Sequence, residues 1–174
     1  MNFIPEQTEA QKVPYFEDAS REQGWQGYAT TKNLGRLKSE VTDSIQRLGG
    51  FVSGFQAGTF RIDDRDRQGF RIFYSIEGRP ARLDIAALPV KSRRDDKKKE
   101  NSLKMALYML RIGLDGMWFF QQLSPGYAPL MPFMIADNEG HTVSQLWAES
   151  SVMNKLLPPP SADFEVIEGT EVAA

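Results

Sequence analysis

Residues 70–87 constrain this chain more than any other stretch. Phe70, Ile72, Tyr74 and Ile76 recur with a period of two, the repeat of a strand with one buried face. Glu77-Gly78-Arg79-Pro80 follows. Gly in the first central position of a two-residue loop is the type II′ signature, which makes Gly78 and Arg79 the expected turn. In that register Ile76 faces Ala81, Tyr74 faces Leu83, Ile72 faces Ile85 and Phe70 faces Ala87, all apolar and all on one side. The other side pairs Ser75 with Arg82, Phe73 with Asp84 and Arg71 with Ala86. A slip of one residue would mix the two sides, so pattern and turn together predict an antiparallel hairpin.

Two helices are expected to flank this ribbon. Leu34, Leu37, Val41, Ile45 and Leu48 fall at spacings of three and four, one apolar stripe at helical period. Thr30 or Thr31 is the expected cap, Arg36/Glu40 and Asp43/Arg47 are the expected outer ion pairs, and Gly49-Gly50 provides the exit. A second stripe, Leu103, Leu107, Leu110, Leu114 and Met117/Trp118, predicts a long helix over roughly 97–123. Gly113 and Gly116 interrupt it, each unfavourable by about 1 kcal/mol relative to Ala unless close packing requires them. Between the helices, Phe51 to Ile62 reads as a further strand, with Gly54 and Gly58 marking a bulge or bend. Residues 63–69 read as a polar loop. Beyond the long helix, Phe133-Met134-Ile135 fits a short edge strand, and Thr142-Val143-Ser144-Gln145 is a capping box opening a short helix. The expected fold is therefore α+β: a three-stranded antiparallel sheet in the order α-β-β-β-α-(β)-α, with helices on one face. Residues 1–29 form an N-terminal arm, 30–157 a single domain and 158–174 an acidic tail expected to be disordered.

Composition removes several functions. The 174 residues contain no Cys and a single His, His141, which argues against disulfides, thiolate or multi-His metal sites and a Ser-His-Asp triad. No cofactor or metal is expected. No apolar run reaches the ~18 residues of a membrane span, and the first residues show neither a basic nor an apolar leader segment, so the expectation is a cytoplasmic protein without a membrane partner.

Charge is the functional clue. The net value of −2 hides a basic centre: residues 61–111 hold fourteen Lys/Arg against eight Asp/Glu, while 158–174 hold four acids and no base. Such asymmetry fits a polyanion partner. On the solvent side of the sheet, parity offers Thr59 and Arg61, then Arg71 and Phe73, then Arg82 and Asp84; guanidinium groups suit phosphates, and a ring face suits an unstacked base. The linker supplies Lys91, Arg93 and Arg94. Lys97, Lys98 and Lys99 open the long helix, with Lys104 one turn on; cations there oppose the helix dipole unless an anion is bound with them. The expected function is non-catalytic binding of nucleic acid. A protein partner or a second copy is the alternative, through the apolar, proline-stiffened segment containing Tyr127, Leu130, Met131 and Phe133.

Two families share features with the chain. Residues 33–123, with Lys97-Lys98-Lys99 and Lys104 followed by Ala106 and Leu107, resemble double-stranded-RNA-binding domains in topology and in the lysine cluster opening the second helix. The loop 63–69 lacks that family's Gly-Pro-x-His element. The element order is also similar to the core of PD-(D/E)xK nucleases, which implies Mg²⁺ held by carboxylates such as Asp63, Asp64, Asp84 and Glu40. Ala86 stands where that family's lysine belongs.

Overall fold

A computed structural model describes residues 12–27 and 30–149. The acidic tail expected over 158–174 lies outside the described residues. The elements are α1 (Leu34–Arg47), β1 (Gly50–Ile62), β2 (Arg65–Ile76), β3 (Arg79–Ala86), α2 (Asp96–Leu123) and α3 (Val143–Glu149), with single 3₁₀ turns at Phe16–Asp18, Arg21–Gln23 and Met131–Phe133. The strands form one antiparallel sheet in the order β1-β2-β3, and α1 and α2 pack against the same face. This is the expected α+β architecture.

The stripe of α1 is buried as its spacing requires: Leu37, Val41 and Ile45 are fully enclosed and Leu48 nearly so. They meet Phe70, Ile72 and Tyr74 of β2, Ala81 and Leu83 of β3, and Leu107 and Leu114 of α2 in one core. The cap is Asn33, whose Oδ1 accepts the Arg36 N–H at 2.8 Å, and not Thr30 or Thr31. Arg36 pairs with Glu40 at 3.3 Å as expected. Arg47 reaches across to Asp115 of α2 at 3.6 Å instead of turning to Asp43, because the helix–helix contact offers it a carboxylate and the face of Trp118 together.

The β2–β3 turn lies one residue earlier than expected, which shifts the strand pairing by two. Glu77 and Gly78 are its central pair, with φ of 49° and 75°, which is the type I′ arrangement. Tyr74 therefore faces Ala81, Ile72 faces Leu83 and Phe70 faces Ile85. A displacement of two preserves parity, so the apolar and arginine-bearing sides remain as predicted. The β1–β2 hairpin is longer than predicted. Asp63 and Asp64, both at positive φ, form a second two-residue turn, and Arg65–Gly69 are strand and not loop.

Met134 bridges Ala81 at the free edge of β3, and the Ile135 N–H donates to Pro80 O at 3.0 Å. This is the expected edge strand in reduced form, preceded by a 3₁₀ turn. The capping box is present: Gln145 N donates to Thr142 Oγ1 at 3.2 Å, and Thr142 N donates to Gln145 Oε1 at 3.0 Å. The N-terminal segment is drawn onto a second face of α2, where Phe16, Leu88 and Met105 form a separate buried cluster. Within the described residues no helix is long and apolar enough to cross a membrane.

Candidate nucleic-acid interface

One residue reassigns half of the expected site. Ser53 is a β-bulge: Val52 pairs with Tyr74, but Gly54 pairs with Phe73, so beyond Ser53 the parity of β1 reverses. Phe55 then packs edge-on against Phe70 on the helix side. Thr59 and Arg61, placed on the outer face by simple alternation, pair with Gln68 and Asp66 and share the helix-side face. Phe60 and Ile62 take their place outside, opposite Arg67 and Arg65.

The outer face thus differs from the expected one. Along β2 it carries Arg65, Arg67, Gly69, Arg71 and Phe73, beside Arg82 and Asp84 of β3 and Phe51, Gly54, Gly58 and Phe60 of β1. Phe51 is 72% exposed and Phe73 40%, so both rings meet solvent on this face. Nothing lies within 4 Å of a Cβ built on Gly54, which pairs with Phe73, or on Gly58 further along β1, so the strand surface beside Phe73 is open. Phe51, Phe60, Arg65 and Arg67 were not singled out from sequence. The signal that could have found them was the bulge already suggested by the glycines near Ser53, carried through to its effect on parity.

The arginines on this face are not equivalent. Arg71, half exposed, lies 3.4 Å from Asp84. Arg82 also contacts Asp84, at 3.3 Å, but is only 12% exposed. The loop before α3 covers it: one guanidinium nitrogen donates to Gly140 O and another to Gln145 Oε1, both at 2.9 Å. Arg82 is thus a structural clamp and not a free phosphate ligand. Arg67 donates to Ala86 O and Ala87 O; burial first, and the Arg65 charge second, lower its pKa from the ordinary value. Arg65 donates to Val13 O and lies 5.3 Å from the Tyr15 ring centre, with Lys91 at 6.0 Å from the same ring. The strand residues of the outer face therefore bear four arginines against one acid, and the loop over Arg82 adds Asp137 and Glu139 beside it.

The remaining cations gather elsewhere. Arg93 and Lys99 line a cleft of about 210 Å³ with Thr59, Asp66, Gln68 and Ser102 on the helix side of the sheet. Arg61 borders it through its 2.8 Å pair with Asp66, which holds the Asp66 carboxyl below its usual range. At the start of α2 the place foreseen for a bound anion is taken by the chain itself. Asp95 caps the helix, its carboxylate accepting the Lys98 N–H at 3.0 Å. Lys98 contacts Asp95 and Glu17, Lys99 contacts Asp96, Lys104 contacts Glu100 and Lys91 contacts Asp18. Lys97 and Arg94 are exposed beside them. The structure therefore does not gather Arg61, Arg71, Arg82 and Lys97–Lys99 on one surface.

The carboxylates of the nuclease resemblance do not converge either. Asp63 and Asp64 occupy the hairpin tip. Asp84 lies opposite Arg71, about 20 Å along the strand from that tip at ~3.3 Å per residue. Glu40 is held on α1 by Lys32, Arg36 and Arg111. Among the described residues one group has metal-ligand proximity, Asp137, Glu139 and His141. Its Asp137–His141 contact of 2.7 Å closes the loop that also presents Gly140 O to Arg82.

The apolar segment after α2 divides as well. Leu130 is buried in the core and Phe133 packs against it, whereas Tyr127 and Met131 are exposed. Beside them stand Phe119, Phe120 and Leu123, at 59%, 55% and 82% exposure, which the sequence reading did not include. Comparison of the chain with protein-family models, with curated proteins and with solved structures finds no match.

Proposed function

We propose that the protein binds single-stranded nucleic acid, without catalysis, across the outer face of its sheet. The observation that carries this reading is the juxtaposition of exposed Phe51 and Phe73 with Arg71, on a face where Asp84 is the one acid among the strand residues. Stacking needs an accessible ring with open space above it, and the glycine floor beside Phe73 leaves that space. Phosphates need accessible cations, which Arg71 beside Phe73 supplies; Arg65 and Arg67, held by backbone carbonyls on the same side of β2, add positive potential along that line. Double-stranded nucleic acid suits the site less, since its bases are already stacked and would leave the rings unused. Of the lysines foreseen from sequence, Lys91 extends the track at its Tyr15 end. Lys97, Lys98, Lys99 and Lys104 contribute long-range attraction only.

Fluorescence anisotropy with labelled single-stranded DNA and RNA, and with a matched duplex, tests the proposal. Single strands are expected to bind more tightly. With two phosphates neutralised, by Arg71 and Lys91, log K should fall with log salt at a slope of about −1.4. Phe73→Ala is expected to weaken binding by about 1–3 kcal/mol, the usual cost of one lost base–ring stack. Absence of binding at low salt, or a preference for duplex, rejects the reading.

A further inference from the structure

We infer that the C-terminal end of α2 is the contact surface of a homodimer, in which two copies pair about a two-fold axis through Phe119, Phe120, Leu123, Tyr127 and Met131. Phe120 and Tyr127 already meet edge to face at 4.8 Å, which fixes a convex apolar knob where the helix ends. Side chains of this size carry about 150–250 Å² each, so at their observed exposures the five leave about 500 Å² of apolar surface in water. That rivals the largest patch found on ordinary monomers. Pairing two such patches buries about 1,000 Å², the lower bound for a specific interface.

The occupant is a second copy because the surface complements itself. Met131 at the edge of the knob also lines a cleft of about 390 Å³, with Leu48, Ile76, Leu130 and Met134. Knob and hollow on one patch are what an isologous contact requires, since each copy must offer both. The charges at the rim obey the same rule. Glu77 and Arg79, of opposite sign, line the cleft, so a two-fold rotation can set each against the other of the second copy. A partner of one charge sign would meet a repulsive group on this rim. The cleft adjoins the Phe51 end of the sheet face proposed to bind nucleic acid, and a dimer would present two such faces to one strand.

Sedimentation velocity of the full chain, from micromolar to millimolar concentration, tests this. A concentration-dependent dimer is expected. Leu123→Lys places a cation at a helix C-terminus, where the dipole favours it, so the fold is retained while two like charges enter the interface. The dimer dissociation constant should rise at least thirtyfold, roughly the effect of removing one interface hot spot. Lys97→Glu, at the opposite end of α2 and about 39 Å from Leu123 at ~1.5 Å per residue, should leave it unchanged. A monomeric full chain, or a dimer indifferent to Leu123→Lys, overturns the inference. If a monomeric chain becomes dimeric on removal of residues 150–174, the patch belongs to the chain's own C-terminal segment.

Discussion

Arg71 and Arg82 show how far one residue's surroundings decide its role. They have the same chemistry, share Asp84 and project from the same side of neighbouring strands. Yet Arg82 lies under the 137–145 loop with two further acceptors, and Arg71 lies in the open. Arg82→Ala would leave Asp84 with half its charge partners and Gly140 O and Gln145 Oε1 without their donor. It is expected to cost about 2–4 kcal/mol in a denaturant titration. Arg71→Ala should cost under about 1 kcal/mol, as half-exposed ion pairs do, while still weakening nucleic-acid binding. His141 is the second residue with a distinct signature. The hydrogen bond to Asp137, and then the charge of that carboxylate, raise its pKa above the usual histidine value. Its contribution to loop stability is therefore complete below the unfolded-state pKa and is lost as pH rises through the raised folded value. Asp137, held below its usual range chiefly by the His141 backbone N–H, contributes in the opposite sense and fails in acid. As the only histidine, His141 gives an unambiguous NMR titration. Its midpoint should lie above the ordinary value and return toward it in Asp137→Asn.

At the scale of elements, α2 carries an avoidable cost. Nothing lies within 4 Å of a Cβ built on Gly113 or Gly116, so neither glycine is required by close packing. Gly113→Ala should stabilise the protein by about 1 kcal/mol, the full helix-propensity difference, with binding unaffected. The hairpins behave differently. Turn and alternation predicted which residues of β2 and β3 share a face, because parity survives a shift of two. They did not predict which two residues make the turn. Gly78 permits either choice, and the choice falls to the fit of Ile72 and Tyr74 against Leu83 and Ala81 in the core. In β1 the same reasoning failed at Ser53, where one extra residue exchanged Arg61 for Phe60.

For the whole molecule, the charge layout and the two surfaces matter most. Residues 158–174 bring four acids to a chain whose net charge is −2, so the remainder has a net charge of +2. If the outer sheet face attracts polyanions, removal of 158–174 should tighten binding several-fold at low salt, and less as salt screens the difference. An unchanged affinity would mean that the acidic segment does not compete for that face.

The sequence alone determined the main elements, their order and the sidedness of α1, β2 and β3, because periodicity and turn glycines act over a few residues. It also determined that the basic charge lies in the centre of the chain. Only the tertiary structure decided which cations share a surface. That depended on a single bulge, on where the 137–145 loop lands, and on carboxylates such as Glu17 and Asp18 brought from distant parts of the chain. The glycines beside Ser53 mark the bulge; the other outcomes follow from packing between segments far apart in sequence, and no local pattern encodes them.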